Sequence, residues 1–309
     1  MAAAQDQYRP AHVTRWLVLG AGGQLGSDMV AVLRQVGDEV DGRDRSEVDI
    51  TDPDAVAAAV RDSAPDVVVN AAAFTAVDRA ETEETAALAV NGRGPELIAA
   101  QVAARPTTRL IHISTDYVFA GDATVPYAEN APTHPATAYG RTKLAGEQAV
   151  RRILPDRGFV LRTAWLYGEH GPNFVKTMLR LAAQAEPVSV VTDQIGQPTW
   201  SWDLAWQIQE LVAGAGPAGI YHATNAGSCS WYELARRTFT LAGADPDRVL
   251  PTTTATFPRP APRPAYSVLG HDGWIRAGIP PMRRWQEALA EAVPRLLDRP
   301  GVDVGRGDS

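Results

Sequence analysis

The sequence predicts an α/β fold with a doubly wound parallel sheet, and three features of the chain lead to this prediction. Short apolar runs typical of buried strands alternate with amphipathic helical segments between residues 15 and 165. A glycine-rich turn joins the first of these strands to the first helix. Polar residues follow several of the strands directly, at the edge where open parallel sheets bind their ligands. Crossovers of this kind are right-handed, so we expect helices on both faces of the sheet.

The composition fits one large domain or two unequal ones, with enough apolar residues for a sizeable core. The 309-residue chain is 45% hydrophobic and carries a net charge of −7 without a basic tract, which argues against nucleic-acid binding. We find no run of about 18 apolar residues and no signal-peptide pattern, which favours a cytoplasmic protein without membrane association. The single cysteine, Cys229, excludes an intrachain disulfide and a cysteine-rich zinc site.

The first strand and the turn after it predict a Rossmann-type dinucleotide site. Residues 1–12 are polar and mixed, and we expect them to be disordered. A buried strand at 15–20 runs into a G-x-x-G-x-x-G turn at 20–26, and an amphipathic helix follows at 27–35. Glycines let the backbone approach a pyrophosphate, and the start of the helix supplies free amides and a positive dipole end.

The end of the second strand leaves the choice between NADH and NADPH open. This strand ends near Asp44, about 20 residues past the glycines, where an acid usually holds a ribose hydroxyl. Arg43 and Arg45 flank Asp44. An arginine at this place can accommodate a 2′-phosphate instead. Asp52 then begins a helix at 53–62 that has proline in its first turn.

The third and fourth strands end in small and polar residues. The strand at 66–70 is followed by three alanines, which leave room for a flat ring or a phosphate beside the backbone. Helical periodicity covers 83–104, and Asn91 inside it is expected to have a structural hydrogen-bonding role. The fourth strand, from residue 109, ends in Ser114 and Thr115, which should point toward a ligand.

Tyr139 and Lys143 lie one helical turn apart and would share a face of a helix that runs to about residue 153. A nearby positive charge lowers the pKa of a tyrosine from its usual value of about 10, so that the pair could exchange a proton with a substrate near neutral pH. The alternative is an exposed pair on the helix surface. Lys143 and Lys176 are the only lysines among 29 Lys and Arg residues. This scarcity favours a functional interpretation, because lysine is a compact charge whose pKa shifts readily.

After a fifth strand at 159–163 the alternation loosens, which predicts a smaller, partly interleaved C-terminal substrate domain. We expect a dinucleotide-binding domain at 13–168, with segments from 188–222 returning to it, and a mainly substrate-binding domain at 169–298. In this half the predicted helices are 174–183, 201–212 and 282–297, the predicted strands are 188–191 and 219–222, and the predicted loops are 193–199 and the proline-rich 257–264. Ser230 and Glu233 form a capping-box pattern, and residues 299–309 resemble a frayed tail.

These motifs together resemble the extended short-chain dehydrogenase/reductase family. The resemblance rests on the glycine turn, on Ser-Thr-Asp-Tyr-Val-Phe at 114–119 and on Tyr-x-x-x-Lys at 139–143. More narrowly, the chain is similar to the dTDP-4-dehydrorhamnose reductases over about residues 14–298. The narrower likeness rests on the stretches at 70–78, 162–167, 173–174, 193–199 and 263–267.

The resemblance implies that NADPH or NADH reduces the C4 ketone of a dTDP-linked deoxyhexose, in nucleotide-sugar and cell-wall polysaccharide biosynthesis. Tyr139 would protonate the developing alkoxide, Thr115 would donate a hydrogen bond to the same oxygen, and Lys143 would lower the Tyr139 pKa and hold the nicotinamide ribose. The implied cofactor-binding residues, with Asp44 added from its spacing, are Gly20, Gly23, Gln24, Leu25, Gly26, Asp44, Asp49, Ile50, Ala71, Ala72, Ala73, Tyr139 and Lys143. The implied substrate-binding residues are Val77, Tyr117, Trp165 and Arg263.

The positions comparable to metal-binding residues of the family differ in this chain. In the family, Mg²⁺ can bind between subunits through glutamates, whereas Asp28 and Asp203 stand at the comparable places here. Aspartate is shorter than glutamate, so we predict no metal, and lone aspartates on helices are usually solvated. We expect a monomer or a homodimer.

Two alternative functions remain at this stage. Epimerases and dehydratases of the same fold keep the Tyr-x-x-x-Lys motif, and dehydratases add an acidic residue after the Ser/Thr, as Asp116 follows Thr115 here. A non-catalytic, NADP-binding regulatory subunit is the other alternative. The complete set of Thr115, Tyr139 and Lys143 argues against it, since a binding module needs none of them.

Overall fold

The computed structural model describes residues 13–298, so the terminal segments predicted to be disordered lie outside the described part of the chain. The strands are β1 (Arg15–Leu19), β2 (Glu39–Arg43), β3 (Val67–Asn70), β4 (Arg109–Thr115), β5 (Gly158–Thr163), β6 (Leu166–Tyr167), β7 (Val188–Val191), β8 (Ile195–Gly196), β9 (Thr199–Trp200), β10 (Gly219–His222), β11 (Cys229–Ser230) and β12 (Val249–Thr252). The α-helices are α1 (Gln24–Gln35), α2 (Pro53–Ser63), α3 (Val77–Ala80), α4 (Glu84–Leu88), α5 (Gly94–Ala103), α6 (Ala138–Ile153), α7 (Phe174–Ala182), α8 (Ser201–Ala213), α9 (Trp231–Leu241), α10 (Asp272–Arg276) and α11 (Trp285–Leu297).

The predicted doubly wound parallel sheet is confirmed. Six strands form it in the order β10-β5-β4-β3-β1-β2, and each neighbouring pair is parallel. Strand side chains alternate between the two faces. In β1, Trp16 and Val18 enter a core beneath α1 and α8, whereas Leu17 and Leu19 enter the opposite core beneath α2 and α5. The order of the strands places the carboxyl ends of β1, β3, β4 and β5 along one edge.

The C-terminal half surrounds this edge with short two-stranded sheets and helices. The pairs are β6 with β9, β8 with β11, and β7 with β12. Helices α7, α9 and α11 pack in two further cores there. Helix α8 packs on α1, and β10 extends the main sheet beside β5.

Several local predictions need adjustment. The first helix begins at Gln24 rather than at residue 27, and the last begins at Trp285 rather than at residue 282. The single helix predicted at 83–104 is divided into α4 and α5 by a π-helical turn at Ala89–Arg93. The side chain of Asn91 in this turn donates to the carbonyl of Phe74 and accepts from its amide, which confirms the structural role predicted for Asn91.

Two helix starts follow the predicted capping chemistry. Asp52 accepts hydrogen bonds from the amides of Asp54 and Ala55 at the start of α2. Ser230 and Glu233 form both hydrogen bonds of a capping box at the start of α9. In contrast, the segment predicted as a loop at 193–199 contains β8 and the first residue of β9, which tie it to the C-terminal half.

Within residues 13–298, no helix combines the length and the apolar character that crossing a membrane would require.

Candidate active site

A cavity of about 950 Å³ lies beyond the carboxyl ends of β1, β3, β4 and β5. It gathers residues that the sequence analysis named from segments far apart in the chain. The predicted site residues in its wall are Gly20, Gly23, Gln24, Leu25, Asp44, Asp49, Ile50, Ala71, Ala72, Ala73, Val77, Thr115, Tyr117, Tyr139, Lys143 and Trp165. Gly26 and Arg263 are not among the lining residues of this cavity.

The glycine turn forms one end of the cavity and fits a dinucleotide phosphate. Helix α1 begins there without a side-chain cap at Gly23 and without an acid in its first turn, so its first amides and positive dipole end stay available for an anion. Gly20 has a φ of 84°, and a Cβ atom there would lie 2.6 Å from the Ala72 amide nitrogen. Gly26 does not line the cavity, and the structure gives it a packing role. A Cβ on Gly26 would lie 2.1 Å from the Gly20 carbonyl oxygen, so this glycine lets α1 pack against the turn.

At the far end of this wall, an acid and an arginine lie side by side. Asp44 accepts hydrogen bonds from the hydroxyl and the amide of Ser46, which hold its pKa below the usual value. Arg43 is held by Asp41 at 2.7 Å, and it does not line the cavity. Arg45 does line the cavity; its side chain is 87% exposed and lies 4.0 Å from Asp49.

At the opposite end, β4 and α6 bring Thr115 and Tyr139 together. Thr137 caps α6 by accepting a hydrogen bond from the Gly140 amide, which places Tyr139 in the first turn. The Tyr139 phenol is hydrogen-bonded to the Thr115 hydroxyl. That hydroxyl also lies within hydrogen-bond distance of Asp116 Oδ1, at 2.9 Å, and accepts from the Tyr117 amide at 3.2 Å. The Tyr117 ring meets the Tyr139 ring edge-on at 5.5 Å.

Lys143 lines the same cavity but does not act on Tyr139 as predicted. Its ammonium donates to the Ile113 carbonyl at 2.6 Å, and the side chain is almost completely buried. Burial lowers the pKa of Lys143 to about 8, against the opposing charge of Glu147. Burial raises the pKa of Tyr139 to about 12, and the hydrogen bond from Thr115 only partly offsets this. The prediction that Lys143 lowers the Tyr139 pKa is therefore wrong for this structure, because the ammonium is directed at a backbone carbonyl.

The raised pKa of Tyr139 suits it to donate a proton rather than to accept one. A phenol with a pKa of about 12 keeps its proton at neutral pH, so Tyr139 can give a proton to an alkoxide but is a weak base.

Ser114, which was expected to point toward the ligand, also lines the cavity. Its hydroxyl, however, donates to the buried carboxylate of Glu147.

A second cavity of about 460 Å³ adjoins the first, and Tyr117 and Trp165 line both. Trp165 stacks on Trp231 with ring centroids 3.6 Å apart and an angle of 11° between the rings. The Trp231 indole donates to Gln194 Oε1 at 3.1 Å. Trp165 has a φ of 45°, in the left-handed region that residues with a Cβ rarely adopt. The predicted flat face of Trp165 thus has one of its two sides covered by Trp231.

Arginines give the second cavity a positive wall. Arg263, predicted to bind substrate, lines this cavity together with Arg259. Arg263 pairs with Asp78 at 2.8 Å, and Arg259 lies 3.7 Å from the same carboxylate. Burial alone would raise the pKa of Asp78, but hydrogen bonds from Arg263 and the Ala261 amide keep it below the usual value. Two guanidinium groups facing one carboxylate leave a net positive charge that suits a diphosphate.

Comparison with known proteins agrees with this geometry. Residues 14–297 match the family model described as the RmlD substrate binding domain. The chain belongs to this family. The match confirms the resemblance predicted from the motifs.

Curated and solved members of the RmlD family are similar to the chain over nearly its whole length. The dTDP-4-dehydrorhamnose reductase of Streptomyces griseus is 52% identical, over 94% of this chain and 96% of the relative. The dTDP-4-keto-6-deoxy-D-glucose reductase of Streptomyces niveus is also 52% identical, over 91% and 97%. Among solved structures, the Bacillus anthracis dTDP-4-dehydrorhamnose reductase in complex with NADP superimposes on this chain with a TM-score of 0.88. The two sequences are 38% identical, and the alignment covers 92% of this chain and 99% of that one.

The two aspartates compared above with glutamate metal ligands of the RmlD family are not solvated, contrary to expectation. Asp28 is buried and accepts a hydrogen bond from the Ser201 hydroxyl. Asp203 is held by two hydrogen bonds from Arg283 and by one from Asn225. Among residues 13–298 there is no group of three or more His, Cys, Asp or Glu that could hold a metal ion.

The structure also brings in residues that the sequence analysis did not name as site residues. Thr163 lines the first cavity, and its buried hydroxyl has no hydrogen-bond partner within the described chain. Trp231, Gln194 and Arg259 line the second cavity. Thr163 belongs to the family-like stretch at 162–167, which could have identified it. The stack between Trp165 and Trp231 depends on tertiary packing and leaves no local signal in the sequence.

Proposed function

We propose that this RmlD family member is an NAD(P)H-dependent reductase of the C4 keto group of dTDP-4-dehydro-L-rhamnose, giving dTDP-L-rhamnose. One observation carries the proposal. The hydrogen-bonded pair of Thr115 and Tyr139 lines the first cavity next to Tyr117, which lines both cavities. The first cavity includes an uncapped helix N-terminus, and the second has an arginine-rich wall. The names of the relatives with 52% identity support it.

The residues of the chain have distinct roles in this reduction. A bound reduced nicotinamide supplies the hydride to C4. Tyr139 gives its proton to the oxygen that becomes the hydroxyl group, so hydride and proton together convert ketone to alcohol. Thr115 holds the Tyr139 phenol in place, and Lys143 adds a buried positive charge to the same wall. Ala71, Ala72 and Ala73 leave room for the cofactor beside β3.

The second cavity is proposed to hold the nucleotide sugar. Arg259 and Arg263 would pair with the diphosphate, and the stacked pair of Trp165 and Trp231 would present an apolar wall to a ring. Tyr117, which lines both cavities, would then contact the sugar next to Tyr139. In this arrangement residues 169–298 supply most of the substrate side, while residues 13–168 supply the cofactor side and the proton donor.

A second substrate deserves the same test, because the relative named for dTDP-4-keto-6-deoxy-D-glucose matches the chain equally well. Oxidation of NADPH and of NADH should be followed by absorbance with each of the two keto sugars. We expect stoichiometric cofactor consumption with at least one of them. Turnover without net consumption would support an epimerase or a dehydratase. No turnover, combined with a co-purifying enzyme partner, would support the regulatory-subunit alternative.

Cofactor preference is proposed to depend on Arg45. Replacing Arg45 with alanine should raise KM for NADPH about tenfold and leave KM for NADH nearly unchanged, because a guanidinium facing the cavity would bind a 2′-phosphate. Arg61→Ala is a matched control, since Arg61 is a similarly exposed arginine on α2. Equal changes in the two KM values would show that Arg45 does not recognise the 2′-phosphate.

Sugar recognition provides a separate prediction. Trp231→Ala should raise KM for the keto sugar about tenfold, because Trp165 loses its stacking partner, while KM for NADPH stays within about twofold. Trp231 lines the second cavity and not the first, so the two KM values separate its effects. Trp231→Phe, which keeps an aromatic face, should recover most of the loss. A larger change in KM for NADPH than for the sugar would contradict the assignment of the two cavities.

Location and assembly are part of the same proposal. The substrates are nucleotide sugars and a reduced nicotinamide cofactor, which favours a cytoplasmic enzyme. We propose that it works as a monomer or a homodimer, and light scattering on the purified protein would distinguish these.

A further inference from the structure

We propose that Asp116 is a positioning residue that sets the direction of the hydrogen-bond chain through Thr115 to Tyr139 and returns a proton to Tyr139 after each turnover. This inference rests on the proposed reductase function and deepens it. It starts from the surroundings of the Asp116 carboxyl group. Asp116 is buried in the wall of the first cavity, next to the hydroxyl that holds Tyr139.

The Thr115 hydroxyl has one proton and two acceptor lone pairs. One lone pair accepts the Tyr117 amide at 3.2 Å. The remaining lone pair and the single proton must serve both Asp116 Oδ1, at 2.9 Å, and the Tyr139 phenol. Thr115 therefore donates to one of these two groups and accepts from the other. The protonation state of Asp116 decides which arrangement is present.

If Asp116 is ionised, Thr115 must donate to the carboxylate and can only accept from Tyr139. The Tyr139 proton is then directed at Thr115 and away from a ketone. If Asp116 is protonated, it donates to Thr115, Thr115 donates to the Tyr139 oxygen, and the Tyr139 proton is free to point at the ketone. Only this second arrangement presents a proton to the substrate.

The surroundings of the carboxyl group raise its pKa, so that the protonated form predominates only below about pH 6. Within residues 13–298, the buried Asp116 carboxyl group has side-chain hydrogen bonds only with the Thr115 and Ser267 hydroxyls and none with a charged group, and such sparse hydrogen bonding costs less for a neutral acid than for a carboxylate. Burial raises the pKa of Asp116 to about 6, against smaller lowering effects from the Ser267 and Thr115 hydroxyls. The other titratable groups around this turn are Tyr117 beside it, Tyr139 and Lys143 on α6, and the pair of Arg263 and Asp78, whose charges act on Tyr117.

The proton balance closes along this chain. As hydride reaches C4, the Tyr139 O–H bond breaks and its proton goes to the C4 oxygen. The Thr115 proton moves to the Tyr139 oxygen, and the Asp116 proton moves to the Thr115 oxygen. Asp116 is left as a carboxylate and takes up one proton from solvent before the next turnover. The ketone gains one hydride and one proton, and no other oxidant or reductant is needed.

The test is the pH profile of kcat with Asp116→Asn. In the wild type, kcat should fall about tenfold for each pH unit above the pKa of the carboxyl group. The amide of Asp116→Asn can donate to Thr115 but cannot release a proton to it. We therefore expect kcat to drop by about 100-fold at low pH, with the falling limb absent, and the loss to shrink at high pH. Asp62→Asn, an exposed aspartate on α2, is the matched control and should keep the wild-type profile.

Two further measurements test the same proposal in other ways. Thr115→Val breaks the chain, so adding Asp116→Asn to it should cause little additional loss, and an undiminished loss would overturn the proposal. An Asp116→Asn enzyme with the wild-type pH profile would also overturn it. Infrared absorption of the unmutated protein should show a protonated carboxyl group that disappears between about pH 5 and about pH 8 and shifts in Thr115→Val. That signal does not require turnover, so its absence overturns the protonation argument even if the reductase function is established, and its presence stands if the function fails.

Discussion

Replacing Tyr139 with phenylalanine is expected to lower kcat for keto-sugar reduction by about 1000-fold. The substitution removes the phenol that is hydrogen-bonded to Thr115 and keeps the ring that meets Tyr117 edge-on. A raised pKa keeps this phenol protonated at neutral pH, so the substitution removes the proposed proton donor. Cofactor affinity should stay within about twofold, since the glycine turn and the start of α1 are unchanged.

Stopped-flow absorbance of NADPH with saturating sugar measures this effect directly. Tyr232→Phe is a matched control, because it also removes one phenol oxygen, here one that accepts from Arg236 at 3.3 Å outside both cavities. We expect the control to keep full activity. A Tyr139→Phe enzyme that retained more than about a tenth of the wild-type kcat would show that another group donates the proton.

The fold and the outline of the site could be predicted because their determinants are local in the sequence. The apolar run of β1 leads directly into the glycine turn, so strand, turn and helix follow from adjacent residues. The spacing of Tyr139 and Lys143 places them on one helix face, and both do line the first cavity. Polar residues at strand ends likewise had to meet, since parallel strands bring their carboxyl ends to one edge.

The directions of the side chains could not be predicted, because tertiary contacts decide them. Lys143 reaches the Ile113 carbonyl, where β4 ends, and not the phenol one turn away. Thr115 has a single hydroxyl proton and two neighbours, Asp116 and Tyr139, to which it could donate. No sequence pattern predicts which of them receives it. Asp28 and Asp203 appear as isolated acids on helices, yet Ser201 and Arg283 reach them from other segments. The chemistry of the site depends on these contacts more than on the motifs themselves.

The second large effect is expected at the buried ion pair behind the proposed catalytic residues. Glu147 and Arg162 pair at 2.8 Å with both side chains 2% exposed. Ser114 donates to the same carboxylate, and the Arg162 guanidinium lies over the Phe119 ring at 4.9 Å. Glu147→Gln keeps the shape but leaves Arg162 as a buried charge without its partner. We expect the free energy of unfolding to fall by about 3 kcal/mol or more, measured by urea denaturation.

Two controls separate the charge from the packing. Glu96 also pairs with two arginines, Arg93 and Arg152, but on the surface, so Glu96→Gln should cost less than about 1 kcal/mol. The double variant Glu147→Met with Arg162→Leu removes both charges, and it should recover much of the stability lost by Glu147→Gln. If Glu147→Gln and the double variant were equally stable, the loss of stability would come from packing around the pair and not from the unpaired charge of Arg162.

Glu147→Gln should also alter how the stability of the protein depends on pH. The reason is that Glu147 is the charge that opposes the lowering of the Lys143 pKa. The folded pKa of Lys143, about 8, is below its ordinary value of 10.5, so the charged lysine costs stability at low pH. That cost disappears as the pH rises from the folded pKa toward the ordinary one. Without Glu147 the folded pKa falls further, so the stability deficit of Glu147→Gln should be largest near neutral pH and smaller at about pH 10. A deficit that does not change with pH would mean that Glu147 acts on Arg162 alone and leaves Lys143 unaffected.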